Sequence, residues 1–212
     1  MDVRPYAEQD RAELRALSEH AGDGSPSASL WGHPDAEAAV YLDPYLDVEP
    51  ASVFVAAADG RLVGYLVGAV DTARFPGESK RIEAAIRTYR LPFRAASAPF
   101  FGRALADAVT AAVRRRPTAG EFHDPRWPSH LHIAVSRPAR GMGAAGALMT
   151  SWIERLRAAG SPGCHLQTLV ENEPAVRFFT RMGFTPQGDA TAVPGLRYHG
   201  ARVHQLTMVR AV

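Results

Sequence analysis

The chain has one cysteine, Cys164, in 212 residues. That excludes an internal disulfide framework and any cysteine-rich metal site, and no metal ligand set is expected. It has one lysine, Lys80, among 24 basic residues. Arginine and alanine usage of this kind follows from GC-rich codons, and bulk composition alone gives no reason to read it as phosphate recognition. Charge of either sign is not in excess: the formal net charge is +2, so no strong pull toward nucleic acid or a membrane surface is implied. Long apolar runs are lacking as well. The longest, near Leu62 to Val70, is far short of the ~20 residues that span a bilayer. The start, Met1-Asp-Val-Arg, lacks the basic-then-apolar pattern of a secretory signal. The expectation is a cytoplasmic protein that binds neither membrane nor nucleic acid.

What is present is the composition of a globular protein, 46% hydrophobic and 22% charged, in a chain long enough to bury a full core. Val3 to Tyr6 reads as a short strand and Ala7 to His20 as a helix with Leu14 and Leu17 at helical spacing. Gly22 to Ser29 is rich in Gly, Ser and Pro and reads as a loop. Ala36 to Leu42 reads as a second helix. Ser52 to Ala58 is a strand, and Asp59-Gly60 turns it into a hairpin with Arg61 to Asp71. From Thr72 to Ser129 the chain holds six prolines and two helical segments, about Ser79 to Tyr89 and Phe100 to Arg115. It reads as a helical insertion within one domain spanning 1–212.

The last third alternates. His130 to Ser136 is a strand, Gly143 to Ala159 a helix with Leu148, Trp152 and Leu156 on one face, and Gly163 to Val170 a strand. Glu173 to Met182 is a helix ended by Gly183. Phe184 opens another strand, and Arg202 to Arg210 is the last. Fed by the upstream hairpin, this series argues a mixed α/β sheet.

Arg140-Gly-Met-Gly143-Ala-Ala-Gly146 joins a strand to a helix. Small residues let backbone N–H groups approach a ligand without a Cβ in the way. The helix that follows offers its first free N–H groups and its positive dipole end, an anion site suited to a phosphate or pyrophosphate. Arg140 adds a planar cation at the rim. The spacing Gly141, Gly143, Gly146 also fits a dinucleotide fingerprint. However, five residues separate it from the strand, and it comes too late in the chain to build a doubly wound sheet. No Gly-Lys-Ser/Thr follows, so it is not a P-loop.

Two stretches resemble the motifs of the GNAT superfamily of N-acetyltransferases. Arg140, Gly143 and Ala145 meet the pattern Arg/Gln-x-x-Gly-x-Gly/Ala. Asn172-Glu-Pro-Ala175-Val-Arg-Phe178-Phe179-Thr-Arg-Met-Gly183-Phe184 is similar to Asn-x-x-Ala-x-x-Phe-Tyr-x-x-x-Gly-Phe. Both lie at strand-to-helix junctions, in order. A narrower likeness, carried by Val3-Arg-Pro, Tyr41 to Leu46, Gly64 to Asp71, the insertion and Pro128 to Val135, is to the acetyltransferase-like domain of O-GlcNAcases and its stand-alone bacterial relatives.

The resemblance implies an α/β fold with a mixed, mostly antiparallel sheet splayed between the fourth and fifth strands, flanked by helices, with the insertion between the third and fourth. It implies acetyl-CoA as cofactor. Ile133, Ala134 and Val135 would present backbone groups to the pantetheine arm. Arg140, Gly141, Met142, Gly143, Ala145 and Gly146 would hold the pyrophosphate. Asn172 and Phe179 would lie by the arm, Asn172 doubling as helix N-cap. Phe179 stands where the family carries the tyrosine that protonates the leaving thiolate; a water or Tyr198 could substitute.

For the base, three candidates stand. His132 shares a strand face with His130, as in a His-Leu-His of the aralkylamine branch, though one residue out of step when counted from Arg140, and such a slip reverses the face. Asp71 ends the third strand; it is a base, an amine anchor or a turn residue. Glu171 closes the fifth strand as a base or as a cap for the next helix. The expected function is transfer of an acetyl group to a primary amine of a small molecule or peptide, with a non-catalytic acyl-CoA-binding or peptide-recognition domain as the alternative. A homodimer is the default assembly.

Overall fold

The computed structural model describes residues 1–26 and 30–212; of the loop expected over Gly22 to Ser29, residues 27–29 lie outside the described residues. Strand β1 (Asp2–Pro5) leads into α1 (Arg11–Ala21). Buried Asp10 ties the two together. It accepts the Arg4 guanidinium at 2.6 and 2.7 Å and the Ala7 amide at 2.9 Å. Helices α2 (Pro34–Tyr41) and α3 (Asp43–Val48) follow, each opened by a proline in its first turn. Strands β2 (Val53–Ala58) and β3 (Arg61–Ala69) form the expected hairpin. Its turn residues Asp59 and Gly60 both have positive φ, 52° and 76°, as a tight turn matched to strand twist requires.

The insertion carries α4 (Glu78–Tyr89) and α5 (Ala98–Val113). Then come β4 (Ser129–Val135), α6 (Ala144–Ala158), β5 (Gly163–Leu169), α7 (Glu173–Arg181), β6 (Thr185–Pro186), β7 (Thr191–Tyr198) and β8 (Ala201–Ala211). The sheet order is β1-β2-β3-β4-β5-β8-β6, with β7 on β8. Every pairing is antiparallel except β4 with β5. This is the expected mixed sheet with the insertion between β3 and β4.

One face of the sheet rests on α6. Leu148, Met149, Trp152, Ile153 and Leu156 are all buried there with Leu131, Leu166, Phe179, Phe184 and Met208. The other face carries α1 to α3, with Leu14, Leu42, Tyr45 and Leu46 against Val53, Val55 and Val67. Asp107 of α5 pins the insertion to the far hairpin. It accepts two bonds from Arg197, one from Arg202 and one from the Gly195 amide. Those charges hold its carboxyl well below the usual range despite partial burial.

Three expectations need correction. β7 was not anticipated between the strand at Phe184 and the one from Arg202: it contains Pro194 and Gly195, and both residues count against a strand. The ladder absorbs them as a register break between Ala192 and Arg197, with Gly195 at φ 81°. The strand at Phe184 shrinks to Thr185–Pro186. β3 ends at Ala69, so Asp71 lies in the turn beyond it. Cys164 is fully buried, and burial pushes its thiol up to about 12, an inert group.

Packing is tight under β3. A Cβ on Gly68 would sit 2.6 Å from the Trp152 ring and 2.9 Å from the His130 carbonyl oxygen. Neither a fully buried indole nor a strand carbonyl can move aside. Gly68→Ala is expected to lower stability by about 1–3 kcal/mol through overpacking, read as an earlier urea midpoint. An unchanged midpoint would contradict this packing.

Candidate active site at the strand splay

β4 and β5 share only two residue pairs, Ser129 with Cys164 and His130 with His165. Beyond them β4 stays paired to β3 through Val135, and β5 stays paired to β8 through Leu169. The two strands therefore diverge. Among the described residues the β5-facing edge of β4 from Leu131 to Val135 has no strand partner, which is a ready template for an extended ligand.

At the open end of this wedge the chain turns into α6. Gly141 and Gly143 have φ of 85° and 87°, a conformation that L side chains adopt only with strain. The amides of Gly141, Gly143, Ala144, Ala145 and Gly146 donate to no backbone carbonyl outside the helix among the described residues. Within α6 the first amides have no preceding turn to bond. A Cβ placed on Gly141 or Gly146 would meet nothing within 4 Å, so both positions border open space. The result is a set of N–H donors at the positive end of a 15-residue helix.

Arg140 does not stand free at the rim as expected. Its Nη2 donates to the carbonyls of Ala21 and Asp23 at 3.1 and 2.9 Å, and its Nε to that of Val135 at 3.4 Å. It staples the end of α1 to the loop and fixes the loop's path. Asn172 departs from expectation in the opposite sense. It occupies the N-cap position of α7, but its side chain makes no capping bond. Its backbone carbonyl takes the Ala175 and Val176 amides instead. The carboxamide is left without a protein partner among the described residues. Phe179 is buried against Phe178 and Phe184, with ring centroids 5.3 and 5.9 Å away.

On the opposite face the same wedge opens into a small cleft. Thr72, Phe75, Glu78, Arg81, Glu121 and Phe122 of the insertion wall it, facing His130, His132, His165 and Gln167 of the strands. Both nitrogens of His130 are bonded, Nε2 to the Tyr45 hydroxyl and Nδ1 to that of Thr72, each at 2.8 Å. His132 has no hydrogen-bond partner among the described residues; it lies edge-on to Tyr41 and Tyr45. The register settles the question of face: Leu131, Ile133 and Val135 point to α6, His130 and His132 into the cleft. Burial, then the charge of Arg81, pushes the His132 imidazole down to about 4.

Of the other base candidates, Asp71 accepts the Ala73 amide at 2.9 Å and pairs with Arg74 at 3.3 Å. It is a turn residue. Glu171 binds the His204 amide and ring, both at 3.0 Å, which keeps its carboxyl below the usual range in spite of burial. It fastens the end of β5 to β8 and does not cap α7. Sequence reasoning missed Glu78, Arg81, Glu121 and His165, because the insertion's fold over the strands leaves no local signal. Burial pushes Glu78 up, and the Tyr41 hydroxyl donates to it at 3.2 Å. The Arg81 guanidinium lies over the Tyr45 and Phe75 rings, 5.4 and 5.2 Å from their centroids.

Comparison with known proteins returns the acetyltransferase (GNAT) family, whose sequence model matches residues 14–184. Among solved structures the chain is similar to SsHAT, at 23% identity over 99% of this chain and 97% of that one, TM-score 0.62. It is similar to the polyamine N-acetyltransferase of Drosophila melanogaster, which forms N-acetylagmatine, at 21% identity over 100% and 99%, TM-score 0.63. It is similar to a putative acetyltransferase from Salmonella typhimurium, solved with acetyl-CoA, at 15% identity over 100% and 93%, TM-score 0.60. At these identities the structures attest the fold. Among the described residues no helix is long and apolar enough to cross a membrane.

The buried histidines make stability depend on pH. A histidine whose native value lies below its unfolded value of ~6.5 binds its proton first in the unfolded chain. Between ~6.5 and about 4, His132 therefore favours unfolding progressively as pH falls, by about 3 kcal/mol at the lower end. Burial shifts His130 and His165 in the same direction. His132→Gln is expected to flatten the fall in urea-measured stability between pH 6.5 and 4. An unchanged slope would show that His132 does not titrate as a buried neutral group.

Proposed function

The chain belongs to the acetyltransferase (GNAT) family, and from that premise we propose that it transfers an acetyl group from acetyl-CoA to a primary amine. One observation carries the reading: the amides of Gly141 and of Gly143 to Gly146 have no backbone acceptor outside the helix among the described residues and border open space beside an unpaired strand edge. A diphosphate fits the amides, and an extended amide-bearing arm fits the edge. Amides of Gly141, Gly143, Ala145 and Gly146 would hold the pyrophosphate, with Arg140 setting the loop that presents them; the Met142 amide, expected to join them, donates to the Ala139 carbonyl instead. Backbone groups of Ile133, Ala134 and Val135 would hold the arm, together with the Asn172 carboxamide. Phe179 would line its apolar end. Bound there, acetyl-CoA supplies an acetyl group activated as a thioester.

The acceptor would enter from the cleft on the other face. Its walls carry the carboxyl groups of Glu78 and Glu121; burial pushes Glu78 toward its neutral form, while Glu121, held below the usual range by the Ser79 amide, favours an ammonium. At neutral pH an alkyl amine arrives protonated and cannot attack. Drawing it into the cleft weakens its hold on the proton, by the same desolvation that keeps His132 neutral. His132, with an unpartnered ring in that cleft, would take the proton. Asp71 and Glu171 are already bonded elsewhere and are not proposed as bases. Within the family we place the chain beside the acetyltransferase-like domain of O-GlcNAcases, on the likeness of residues 41–46 and of the insertion, as a single domain over 1–212.

A second reading, a domain that binds acyl-CoA without turning it over, is favoured by Phe179, which lacks the hydroxyl of the family's acid. Release of free CoA across a panel of primary amines decides between the two. Turnover supports transfer; heat on binding without turnover supports the second reading; no heat with acetyl-CoA removes both. Phe179→Tyr is expected to keep or raise kcat, and a large fall at unchanged acetyl-CoA affinity would contradict its placement.

Gly146 provides a test that separates binding from folding. It sits in the first turn of α6 with negative φ and free space around its Cα. Gly146→Ala is expected to leave the thermal midpoint unchanged or to raise it by the gain in helix propensity, about 0.4–1 kcal/mol. It should weaken acetyl-CoA about tenfold or more in calorimetry, because the methyl occupies space the diphosphate needs. Wild-type affinity in a stable variant would remove the ligand from this crevice.

A further inference from the structure

His165 is the one cleft imidazole whose tautomer the fold fixes while leaving its other nitrogen open. Its Nδ1 lies 2.8 Å from the Trp127 carbonyl oxygen. A carbonyl only accepts, so Nδ1 carries the hydrogen and Nε2 of the neutral ring is a lone pair. No protein group bonds that nitrogen among the described residues, and the side chain lines the cleft. The residue is 5% exposed. Its place is the apex of the wedge, since His130 with His165 is the last pair before β4 and β5 part. Trp127 itself is held, its ring lying over Gly163, where a Cβ would come within 2.4 Å of it. Phe122 packs edge-on at 5.0 Å, and the His130 ring lies tilted at 5.8 Å. An imidazole with one nitrogen anchored to a rigid carbonyl and the other presented to a cleft is built as a proton acceptor.

Resting on the acetyl-transfer reading, we infer that His165 is a catalytic proton shuttle that replaces the hydroxyl absent at Phe179. Two protons must leave a protonated primary amine. The first comes off before attack and falls to His132. The second comes off as the N–C bond forms and the C–S bond breaks. His165 Nε2 receives that proton from nitrogen and delivers it to the departing sulfur, giving the N-acetyl amide and CoA thiol with no other reactant. A neutral ring suits both halves of the task. It accepts at Nε2 without first losing a proton, and once charged in a cleft that disfavours charge it gives the proton up readily. The groups facing it agree: His130 and His132 on β4, and His123 and Asp124 on the segment leading to Trp127. Burial and His123 act to keep it neutral, while Asp124 and the Trp127 carbonyl act the other way, and the net shift is downward.

His165→Asn tests this, because its carboxamide N–H reproduces the donor to Trp127 and removes the Nε2 lone pair. With an amine the wild type acetylates, kcat is expected to fall about 10²–10⁴-fold, the usual share of a positioned acid–base group. Acetyl-CoA affinity by calorimetry should be unchanged. Adding Phe179→Tyr to that variant should recover part of the loss. Nitrogen-15 NMR of the wild type gives a readout independent of turnover: the His165 signals should show Nδ1 protonated and Nε2 unprotonated at pH 7, with and without acetyl-CoA. Undiminished kcat in His165→Asn, or a protonated Nε2 at pH 7, overturns the shuttle while leaving acetyl transfer standing. Failure of the wild type to release CoA with any amine instead overturns the reading on which it rests.

Discussion

Every functional feature of this molecule depends on the parting of β4 and β5. Each strand is paired along its length to a different neighbour, β4 to β3 and β5 to β8. Adjacent strands twist relative to one another. Once two parallel strands follow separate partners, they hold register for a short distance and then separate. Below the gap the α6 side chains Leu148, Met149 and Trp152 fill one face so that it does not collapse. The unpaired edge would be a hazard in most sheets. Here the turn into α6 covers its end, and the insertion roofs its far face.

On the proposed reading, the loop before α6 would meet its ligand with backbone. The two left-handed glycines bend the chain so that successive amides converge, and Arg140 bonds carbonyls of α1. A guanidinium reaching for phosphate would have to be ordered on binding, at a loss of side-chain entropy of up to about 2 kcal/mol. Fixed amides carry no such loss. The arginine of the motif would therefore act at one remove: bonded to the α1 terminus, it fixes the loop whose donors are proposed to touch the ligand. This division of labour couples the first helix to the crevice, although the two are over a hundred residues apart in sequence.

Legibility followed locality. The glycine loop, the α6 face and the strand-to-helix junctions were readable because each is a short pattern with a direct backbone consequence. Asp59-Gly60 gave the hairpin for the same reason. β7 escaped because Pro194 and Gly195 sit inside it, and only the bulged pairing to β8 explains how a strand tolerates them. α3 escaped because Asp43 to Val48 is barely more than one turn, held by tertiary packing of Tyr45 and Leu46 rather than by its own periodicity. The site's acid–base groups were the least readable. Asp71 and Glu171 had suitable chemistry at suitable strand ends, yet neighbours distant in sequence or in the turn claim their oxygens. His165 carried no motif at all; its role arises from Trp127, whose carbonyl reaches it across the insertion.

The cleft shows how burial sorts chemically identical groups by their bonds. Three imidazoles share one face, and desolvation lowers all of them. His130 has two protein partners and is fixed on both sides; it carries the structure of the wall, joining α3 to the turn after β3. His165 has one and presents a single lone pair. His132 has none among the described residues and is held only by ring contacts. A charged group confined beside them would be unstable without a counterion, and the carboxyl of Glu78 is itself pushed toward its neutral form by burial. Such a chamber favours reactions whose partners become neutral inside it. An amine that loses its proton on entry, and a thiolate protonated on departure, are two such cases.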